Sequence, residues 1–487
     1  MNWLGLLMLP SIIAILSLPW IKNREIAARW SFILTVVSFL IALRLIILVY
    51  SVGHAVLYAN QWFMCDTFGS FYVLLNTFIT MTTAFYAMGY LKNEYDRSQF
   101  HPLTYRFYHT FYHLFTFSML LVLISNNLGV MWIAMELATI SSVVLVALYQ
   151  TTEALEAAWK YLILCGVGLG LALLGTIIFY FASHHSLVSY QGLQWTALLK
   201  IASQLPPKLL EISFVFIFVG YGTKAGFFPL HSWLPDAHAE GPTPISALLS
   251  GLLLNVALFA IIRFKLILDQ TAAHHFAQIL LILFGFMNLL YAAFSLLRQH
   301  NIKRLFAYSS IEHMGLISIA FGIGTPLAYL AGLFHVLLHA LSKTAAFFTA
   351  GNLIQVFHTQ VIKRLRAAGV MTPLLAWLLL LSSLALLGLP PFGLFISEML
   401  LLFAVVQVNY WLVIPLIIGL SLAFLAIFMK IQAIVFSHSS EIKTHNFSFK
   451  HVSNWPILLH LGLVTLAGLW VPLFLLMPVI MFFMGKI

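Results

Sequence analysis

Long apolar stretches, separated by short polar segments, make up most of the chain. The stretches at 159–183 and 455–485 stay largely apolar for twenty residues or more, and about 20 such residues let a helix cross a bilayer. A barrel strand would instead alternate apolar and polar residues over about ten positions. Because lipid offers backbone N–H and C=O groups no partner, only helices and closed barrels span it. The pattern favours helices.

Fourteen stretches are predicted to span the membrane, which makes the chain an all-α polytopic membrane protein. These predicted spans 1 to 14 cover residues 3–20, 30–52, 67–91, 108–125, 128–149, 156–183, 209–230, 244–266, 276–297, 304–324, 327–357, 372–405, 409–436 and 456–484. The first stretch has no basic segment before it, so we expect a span there rather than a signal peptide.

The order of the predicted spans suggests two similar units between terminal segments. The expected segments are 1–107 with spans 1–3, 108–266 with spans 4–8, 276–436 with spans 9–13, and 437–487 with a loop and span 14. The gaps between spans are too short for a soluble domain with its own core. Any redox chemistry is therefore expected on partner subunits.

Composition narrows the function further. Of the 487 residues 62% are hydrophobic and 8% are charged, whereas a soluble domain carries about a quarter charged residues. The net charge of +10 comes from basic residues scattered among membrane loops, which argues for a topology signal and against nucleic-acid binding. The only cysteines, Cys65 and Cys165, cannot provide a disulfide framework or a CxxC metal site. We expect no metal and no cofactor in this subunit.

Basic residues accumulate in the loops that follow odd-numbered predicted spans. They are Lys22, Arg24 and Arg29 after span 1, Lys92, Arg97 and Arg106 after span 3, Arg298, Lys303 and Arg304 after span 9, Lys363, Arg364 and Arg366 after span 11, and Lys443 and Lys450 after span 13. In the other loops Lys200 and Lys208 are the main exceptions. Since cytoplasmic loops collect Lys and Arg, both termini are predicted to face the periplasm of a bacterial inner membrane.

Two predicted spans contain helix-breaking sequences. One break follows Lys224, in FFPLHSWLPDAHAEGPTP, and the other lies in span 12, in GLPPFGLFISE. Proline removes an amide donor and clashes with the preceding turn. Corresponding breaks in two halves of a membrane protein indicate a substrate or ion site at the interface of inverted repeats. We therefore expect spans 4–8 and 9–13 to form inverted five-helix repeats with broken helices 7 and 12.

The few charged residues inside the spans are candidates for a proton path, because a charge at the bilayer centre costs about 2.5–3.5 kcal/mol on insertion scales. Glu136 lies in the middle of span 5, and Lys224 lies just before the first break. Opposite charges on neighbouring helices would lower each other's desolvation cost, so we expect the two residues to pair. The pair could exchange protons, or it could be a static ion pair that fixes helix packing.

Span 11 adds a histidine–lysine stripe. His335, His339 and Lys343 recur at every fourth position and so share one helix face over about 12 Å. Histidine gains and loses protons near neutral pH, so the stripe favours a proton relay. Glu398 follows the Pro390-Pro391 break. It could be an exit carboxylate, or a helix-terminal acid at the interface.

Weaker candidates leave both interpretations open. Glu312 and His313 could line the path or only make hydrogen bonds between helices, and Lys430 could lie on the path or extend to the cytoplasmic interface. The remaining weak candidates for the path are His231 and Asp236. His109 and His113 lie four residues apart, but no carboxylate or cysteine is close to them in sequence, so packing is a better interpretation than metal binding.

Segment 224–251, KAGFFPLHSWLPDAHAEGPTPISALLSG, resembles the signature of the antiporter-like membrane subunits of complex I, Mrp antiporters and group 4 hydrogenases. Within that family the chain is most similar to component F of hydrogenase 4. The segments that carry this similarity are ALEAAWKYLILC, GLLLNVALFAIIRFK, NIKRLFAYSSIEHMG and GLPPFGLFISE. The resemblance implies fourteen helices, a proton-translocating role, and no quinone or NADH site on this chain.

The resemblance also implies roles for particular positions. Glu136 matches the glutamate of helix 5 and Lys224 the lysine of helix 7, while Lys343 and Glu398 match the charged positions of helices 11 and 12. Many relatives in complex I have a lysine in helix 8 where this chain has Asn255. Asparagine carries no proton, so the central relay would pass through water or through the stripe on span 11.

Other functions are compatible with these features. The alternatives are an Mrp-like cation/proton antiporter and a membrane partner of a soluble protein that uses the proton-motive force. A haem protein fits poorly, because His335 and His339 share one helix face and cannot bind opposite sides of one haem. The sequence leaves open which complex holds the chain, what donates the electrons, and whether H⁺ or Na⁺ is moved.

Overall fold

The computed structural model describes residues 3–96, 102–184, 187, 191–366, 368–437 and 453–485, and nearly all of them are helical. The helices of the first half are α1 Trp3–Ser17, α2 Arg24–Val52, α3 Thr67–Asp96, α4 Pro102–Ile124, α5 Leu128–Val146, α6 Thr152–Ser183, α7 Trp195–Ile201, α8 Pro207–Ala225, α9 Trp233–Glu240, α10 Thr243–Leu248 and α11 Leu254–Leu268. Those of the second half are α12 His274–Leu297, α13 Ile302–Ile323, α14 Pro326–Phe357, α15 Ala368–Met371, α16 Pro373–Leu386, α17 Gly393–Val408, α18 Val413–Phe436, α19 Trp455–Leu469 and α20 Leu473–Phe483.

The number of spans is slightly lower than predicted. Within the described ranges, eleven helices are long and apolar enough to cross a membrane, and thirteen if each of two sharply bent helix pairs counts once. Helix α8 is not among them; it carries Lys208, Glu211 and Lys224 within 19 residues. The chain is a multi-pass membrane protein, and the count of fourteen is not reached by this criterion. The inverted arrangement of residues 108–266 and 276–436 stays a prediction.

Both predicted helix breaks are present. The first separates α8 from α9 at 226–232, and the second separates α16 from α17 at 387–392. Predicted span 8 is interrupted as well, because a π-helical turn, Leu249–Leu253, joins α10 to α11. A further break separates α19 from α20, which meet at 70°. The hydrophobic pattern of the sequence did not predict the π-helical turn or the break between α19 and α20.

Local sequence accounts for several helix ends. Asn127 begins α5, and its side chain accepts hydrogen bonds from the backbone N–H groups of the first turn. Asn301 does the same for α13 and Thr325 for α14, as expected for helix-capping residues. Helix α8 ends because Gly226 takes a left-handed conformation with φ +78°, which glycine adopts without steric cost.

One set of loops carries the non-helical structure. Strands β1 Val56–Tyr58 and β2 Phe63–Cys65 form an antiparallel hairpin between α2 and α3, although no strand was predicted. Isolated bridges join Phe63 to Ser125 and Asn127 to Gln194. The loops after predicted spans 2, 4 and 6 therefore meet on one face of the protein.

The loops after odd-numbered spans also contact one another. Asn301 pairs with Val361 across two of these loops, and Lys92 forms an ion pair of 3.3 Å with Glu25. The basic residues that predicted the orientation thus belong to a common face, which we call the basic face. Arg97, Lys443 and Lys450 lie outside the described residues.

Burial divides the helices into an inner and an outer group. The α10–α11 segment is completely buried, and α13 and α14 are almost so, whereas less than half of the residues in α18 and α2 are buried. The inner helices hold the charged candidates Lys343 and Glu312, which places them in the protein interior and away from lipid.

A buried ion pair joins α3 to α11. The guanidinium group of Arg263 donates to both carboxylate oxygens of Asp66, over 2.5 and 2.8 Å. The same carboxylate accepts from the backbone N–H of Gly69, and the indole of Trp195 donates to the Arg263 carbonyl. This contact fixes the start of α3 and α7 against α11. The two partners are 197 residues apart, so their spacing in the sequence gives no sign of this contact.

We predict that Arg263→Ala destabilises the protein by about 3–5 kcal/mol, because it leaves the Asp66 carboxylate buried without its partner. Thermal unfolding of the purified protein in detergent measures the loss. The matched control is Arg298→Ala, which removes an exposed arginine and should change little. Equal stability of the two variants would show that the ion pair contributes nothing.

Candidate functional site: a buried row of titratable groups

Lys224 is the first charged group in the interior. It lies in the last turn of α8 and is completely buried. Its ammonium group donates to the Thr139 hydroxyl at 2.9 Å and to the Tyr161 hydroxyl at 2.5 Å. Tyr161 in turn shares a hydrogen bond of 2.8 Å with Ser142. Hydroxyl groups thus replace the water that the lysine loses on burial.

Glu136 interacts with Lys224 without touching it. The glutamate lies one turn before Thr139 on α5 and is half-buried, and its charge interacts with that of Lys224. No direct ion pair joins them in the described structure, because Thr139 and Tyr161 take the ammonium group. In this conformation Glu136 and Lys224 therefore interact electrostatically, without the direct ion pair that the sequence predicted.

Three histidines form a second cluster. His313 and His335 share a hydrogen bond of 2.9 Å, and the other ring nitrogen of His335 contacts the Ser397 hydroxyl at 3.0 Å. The His339 ring centroid lies 5.2 Å from that of His313. All three rings are buried. The predicted stripe on α14 thus faces the protein interior, and His313 from α13 joins it.

Lys343 continues the stripe towards the basic face. It is completely buried and donates to the Phe306 carbonyl at 3.0 Å. Its charge interacts with that of Glu312, which is also buried. Glu312 and His313 therefore belong to the row.

Asn255 lies beside the histidines. Its amide donates to the Gly251 carbonyl, inside the π-helical turn, and contacts His339 at 3.5 Å. Its Oδ1 atom and the His339 Nε2 atom are buried without a hydrogen-bond partner among the described residues. Single π turns often occur at functional sites. Here the turn places a neutral amide next to the histidine cluster, where many relatives are expected to have a lysine.

Glu398 lies at the second helix break. Its carboxylate packs against Gly388, where even a Cβ atom would collide with it, and Gly388 has a φ of +60°. The neighbouring residue, Ser397, contacts His335, and the charges of Glu398 and Glu312 interact. The candidate exit carboxylate thus lies at the end of the row.

His238 is a member that the sequence analysis missed. It lies on α9, is completely buried, and interacts electrostatically with both Lys303 and Lys343. Its Nδ1 atom is 2.7 Å from the Leu234 carbonyl, and no described residue bonds its Nε2 atom. The position of this histidine inside the broken segment that follows Lys224 could have identified it from the sequence.

A polar cavity of about 340 Å³ opens near the basic face. Its lining includes Glu94, Glu240, Lys303 and Thr243. Lys303 is buried and donates to the carbonyls of Ala239 and Gly241 at the end of α9. Because Lys303 also interacts with His238, this cavity adjoins the row from the cytoplasmic side of the predicted topology. These acids were overlooked because they lie at helix ends.

Three weaker candidates have other partners. Asp236 pairs with Lys160 at 2.5 Å and with Arg304 at 2.7 Å, which clamps α9 to α6 and α13. Lys430 donates to two carbonyls at the C-terminal end of α12. The His231 ring packs on Tyr291. None of these three side chains contacts the row within the described structure.

The other histidine pair, His109 and His113, lies among hydroxyl and aromatic side chains. His113 shares a hydrogen bond of 2.9 Å with Ser31, and the described residues contain no group of three metal-ligating side chains. His109 packs against Tyr105 and Tyr108, in agreement with a packing role.

Comparison with known proteins gives the family. Residues 125–426 match the family described as NADH:quinone oxidoreductase/Mrp antiporter, TM. A hydrogenase-4 component F homologue from Methylacidiphilum infernorum is 44% identical, over 85% of this chain and 86% of its own length. Subunit M of the NADH-quinone oxidoreductase of Pseudomonas aeruginosa is 34% identical, over 49% of this chain and 45% of its length.

Solved structures agree with the fold. A chain of the archaeal membrane-bound sulfane sulfur reductase, a respiratory membrane complex, has a TM-score of 0.87 and 25% identity, with coverage of 98% of this chain and 96% of its own. A chain of the Mrp complex from Dietzia sp. has a TM-score of 0.82, with coverage of 99% and 97%, and at 16% identity it shows the fold alone. The chain therefore belongs to the family of antiporter-like membrane subunits found in hydrogenase 4, NADH-quinone oxidoreductase and Mrp antiporters, as the sequence predicted.

Proposed function

We propose that this chain is the proton-translocating membrane subunit of a redox-driven complex of the hydrogenase-4 or NADH-quinone oxidoreductase type. The observation that carries the proposal is the buried row from Lys343 through His339, His313 and His335 to Glu398. Its members lie on the inner helices, and neutral packing does not require so many titratable groups in one place. In this proposal the redox cofactors belong to partner subunits.

The row provides a route for protons, and the redox-driven proposal sets its direction as outward. Protons enter at the polar cavity near Lys303, pass His238 to Lys343, cross the histidine cluster, and leave past Glu398. Each proton that moves outward against 100 mV requires about 2.3 kcal/mol, which the partner subunits supply. Waters bridge the steps that lie beyond direct hydrogen-bond reach.

Glu136 and Lys224 act as the control element in this proposal. The glutamate charge stabilises the lysine charge through space, so a change at one alters the other. In this proposal the ammonium group of Lys224 moves between the Tyr161 hydroxyl and the Glu136 carboxylate, because Thr139, which also binds it, lies one turn from Glu136 on α5. Such a shift would couple a charge movement in a partner subunit to the row.

An Mrp-like cation/proton antiporter is the second candidate, favoured by the matched family, whose description includes Mrp antiporters. The chemistry of the row argues for H⁺ rather than Na⁺, because hard cations prefer several oxygen ligands and the centre of this row consists of histidine and lysine nitrogens. A membrane partner of a soluble protein would use the same path in the opposite direction. Haem binding is disfavoured, because both ring nitrogens of His335 already make hydrogen bonds.

We predict that Lys343→Ala abolishes redox-driven proton uptake in inverted membrane vesicles, since it removes the cation between the inlet and the histidines. The matched control is Lys430→Ala, which removes a lysine that only binds helix carbonyls and should leave transport intact. Fluorescence quenching of a pH-sensitive dye measures uptake, and native gels verify assembly. Full transport by an assembled Lys343→Ala variant would contradict the proposed path.

We also predict that Glu136→Gln stops proton uptake while the complex assembles at near-normal levels. The change removes the charge that acts on Lys224 but keeps the shape of the side chain. Asp236→Asn is the control, since it weakens a clamp between helices without touching the row. If Glu136→Gln fails to assemble, the glutamate is structural; if it still pumps, it is not the control element.

The proposed location is the bacterial inner membrane with both termini in the periplasm. The positions Lys363 and Asn60 are exposed on the basic face and on the hairpin, respectively. A membrane-impermeant thiol reagent applied to intact spheroplasts should label Asn60→Cys and leave Lys363→Cys unlabelled. The reverse labelling pattern would show that the orientation is inverted.

A further inference from the structure

A second cavity, of about 630 Å³, lies on the basic face at the ends of α2, α3 and α4. It is separate from the row, and no step of proton transfer uses it. Its lining contains the cations Lys22, Arg24, Arg29 and Lys92, and the acids Glu25 and Asp96. Four positive charges against two negative charges leave the cavity with a net charge of +2.

The cavity holds its cations in a defined arrangement. The Arg24 guanidinium lies 3.4 Å from the centroid of the Tyr95 ring. Glu25 pairs with Lys92 at 3.3 Å and lies 3.8 Å from Arg29. The Glu25 carboxylate thus positions both cations at the opening of the cavity. Its single negative charge neutralises only one of their two positive charges. The first-turn amides of α2 already bond the Asn23 side chain, so the attraction for an anion comes from side chains.

An exposed apolar stripe begins directly beside this cavity. Ile26, Ile33, Val37 and Leu40 of α2 are exposed, and their spacing places them on one side of the helix. Arg29 projects from the same side and three-quarters of its side chain is exposed. Since α2 is a membrane span, the stripe faces lipid chains and the cations lie at headgroup level.

We propose that this cavity binds the phosphate headgroup of an anionic phospholipid, whose acyl chains lie along the stripe on α2. Basic pockets between spanning helices on the cytoplasmic side are suited to anionic headgroups. A soluble phosphate would satisfy the cations but would leave the stripe unused, and an acidic peptide would not match the stripe in the bilayer. The bound lipid would hold the ends of α2, α3 and α4 together. This inference is independent of the proton path.

Native mass spectrometry of the delipidated protein in neutral detergent tests the proposal. We expect dioleoylphosphatidylglycerol to bind more tightly than dioleoylphosphatidylcholine. Inorganic phosphate at about 10 mM should not displace the bound phosphatidylglycerol. Equal binding of the two lipids would overturn the charge argument. Displacement by phosphate would show that the cavity takes a free anion.

A double variant, Arg24→Gln with Arg29→Gln, tests the residues. Each basic residue near an anionic surface contributes about fivefold to binding, so the loss of two should weaken phosphatidylglycerol binding about 30-fold. The control removes two exposed arginines elsewhere on the same face, Arg298→Gln with Arg364→Gln, and should bind as the parent does. Equal weakening in both variants would overturn the site. Arg29→Gln alone, which removes only an exposed side chain, gives the same test with about a fivefold effect if the double variant does not fold.

Discussion

The cost of taking a charge out of water is the constraint on which this structure depends. Four buried cations form hydrogen bonds with protein groups in place of water. Lys224 bonds hydroxyl groups, Lys303 and Lys343 bond backbone carbonyls, and Arg263 bonds a carboxylate. The carbonyl groups inside a continuous helix accept hydrogen bonds from the N–H groups of that helix. The last carbonyls of a helix have no such partner, so the helix ends created by the breaks can bind a buried cation. The end of α9 supplies both carbonyls that bind Lys303, which is why a broken helix lies next to a buried lysine.

The same constraint separates the inner helices from the outer ones. Titratable groups concentrate on α13 and α14, which the outer helices shield from lipid. Close packing is needed for such shielding, and glycines permit it at helix crossings. A Cβ atom on Gly315 would come within 3.0 Å of Asn288 and Leu289 of α12, and similar contacts surround Gly220, where α8 crosses α6. Close packing at these crossings therefore separates the row of polar groups from the surrounding lipid.

Much of the fold followed from the sequence because it depends on local patterns. Apolar length predicted most spans, proline predicted both breaks, and the four-residue spacing predicted that His335, His339 and Lys343 share a face. Contacts between segments that are distant in the sequence could not be predicted from such local patterns. Lys224 interacts electrostatically with Glu136 yet bonds Thr139 and Tyr161, and only the packing of three helices decides that. Asp66 and Arg263 are far apart in sequence, and His238 had no periodic partner.

The π-helical turn at Leu249–Leu253 has a consequence for everything that follows it in α11. A π turn inserts one residue into a helix, and one residue corresponds to a rotation of about 100°. The turn therefore changes the rotation of α11 about its axis relative to α10, within one membrane segment. It lets Ser250 meet Ser310 at one end, while Arg263 still points to Asp66 at the other. A single deletion within the turn would rotate Arg263 away from its partner, so an apparently local irregularity determines whether the Ser250–Ser310 contact and the buried ion pair can exist in the same membrane segment.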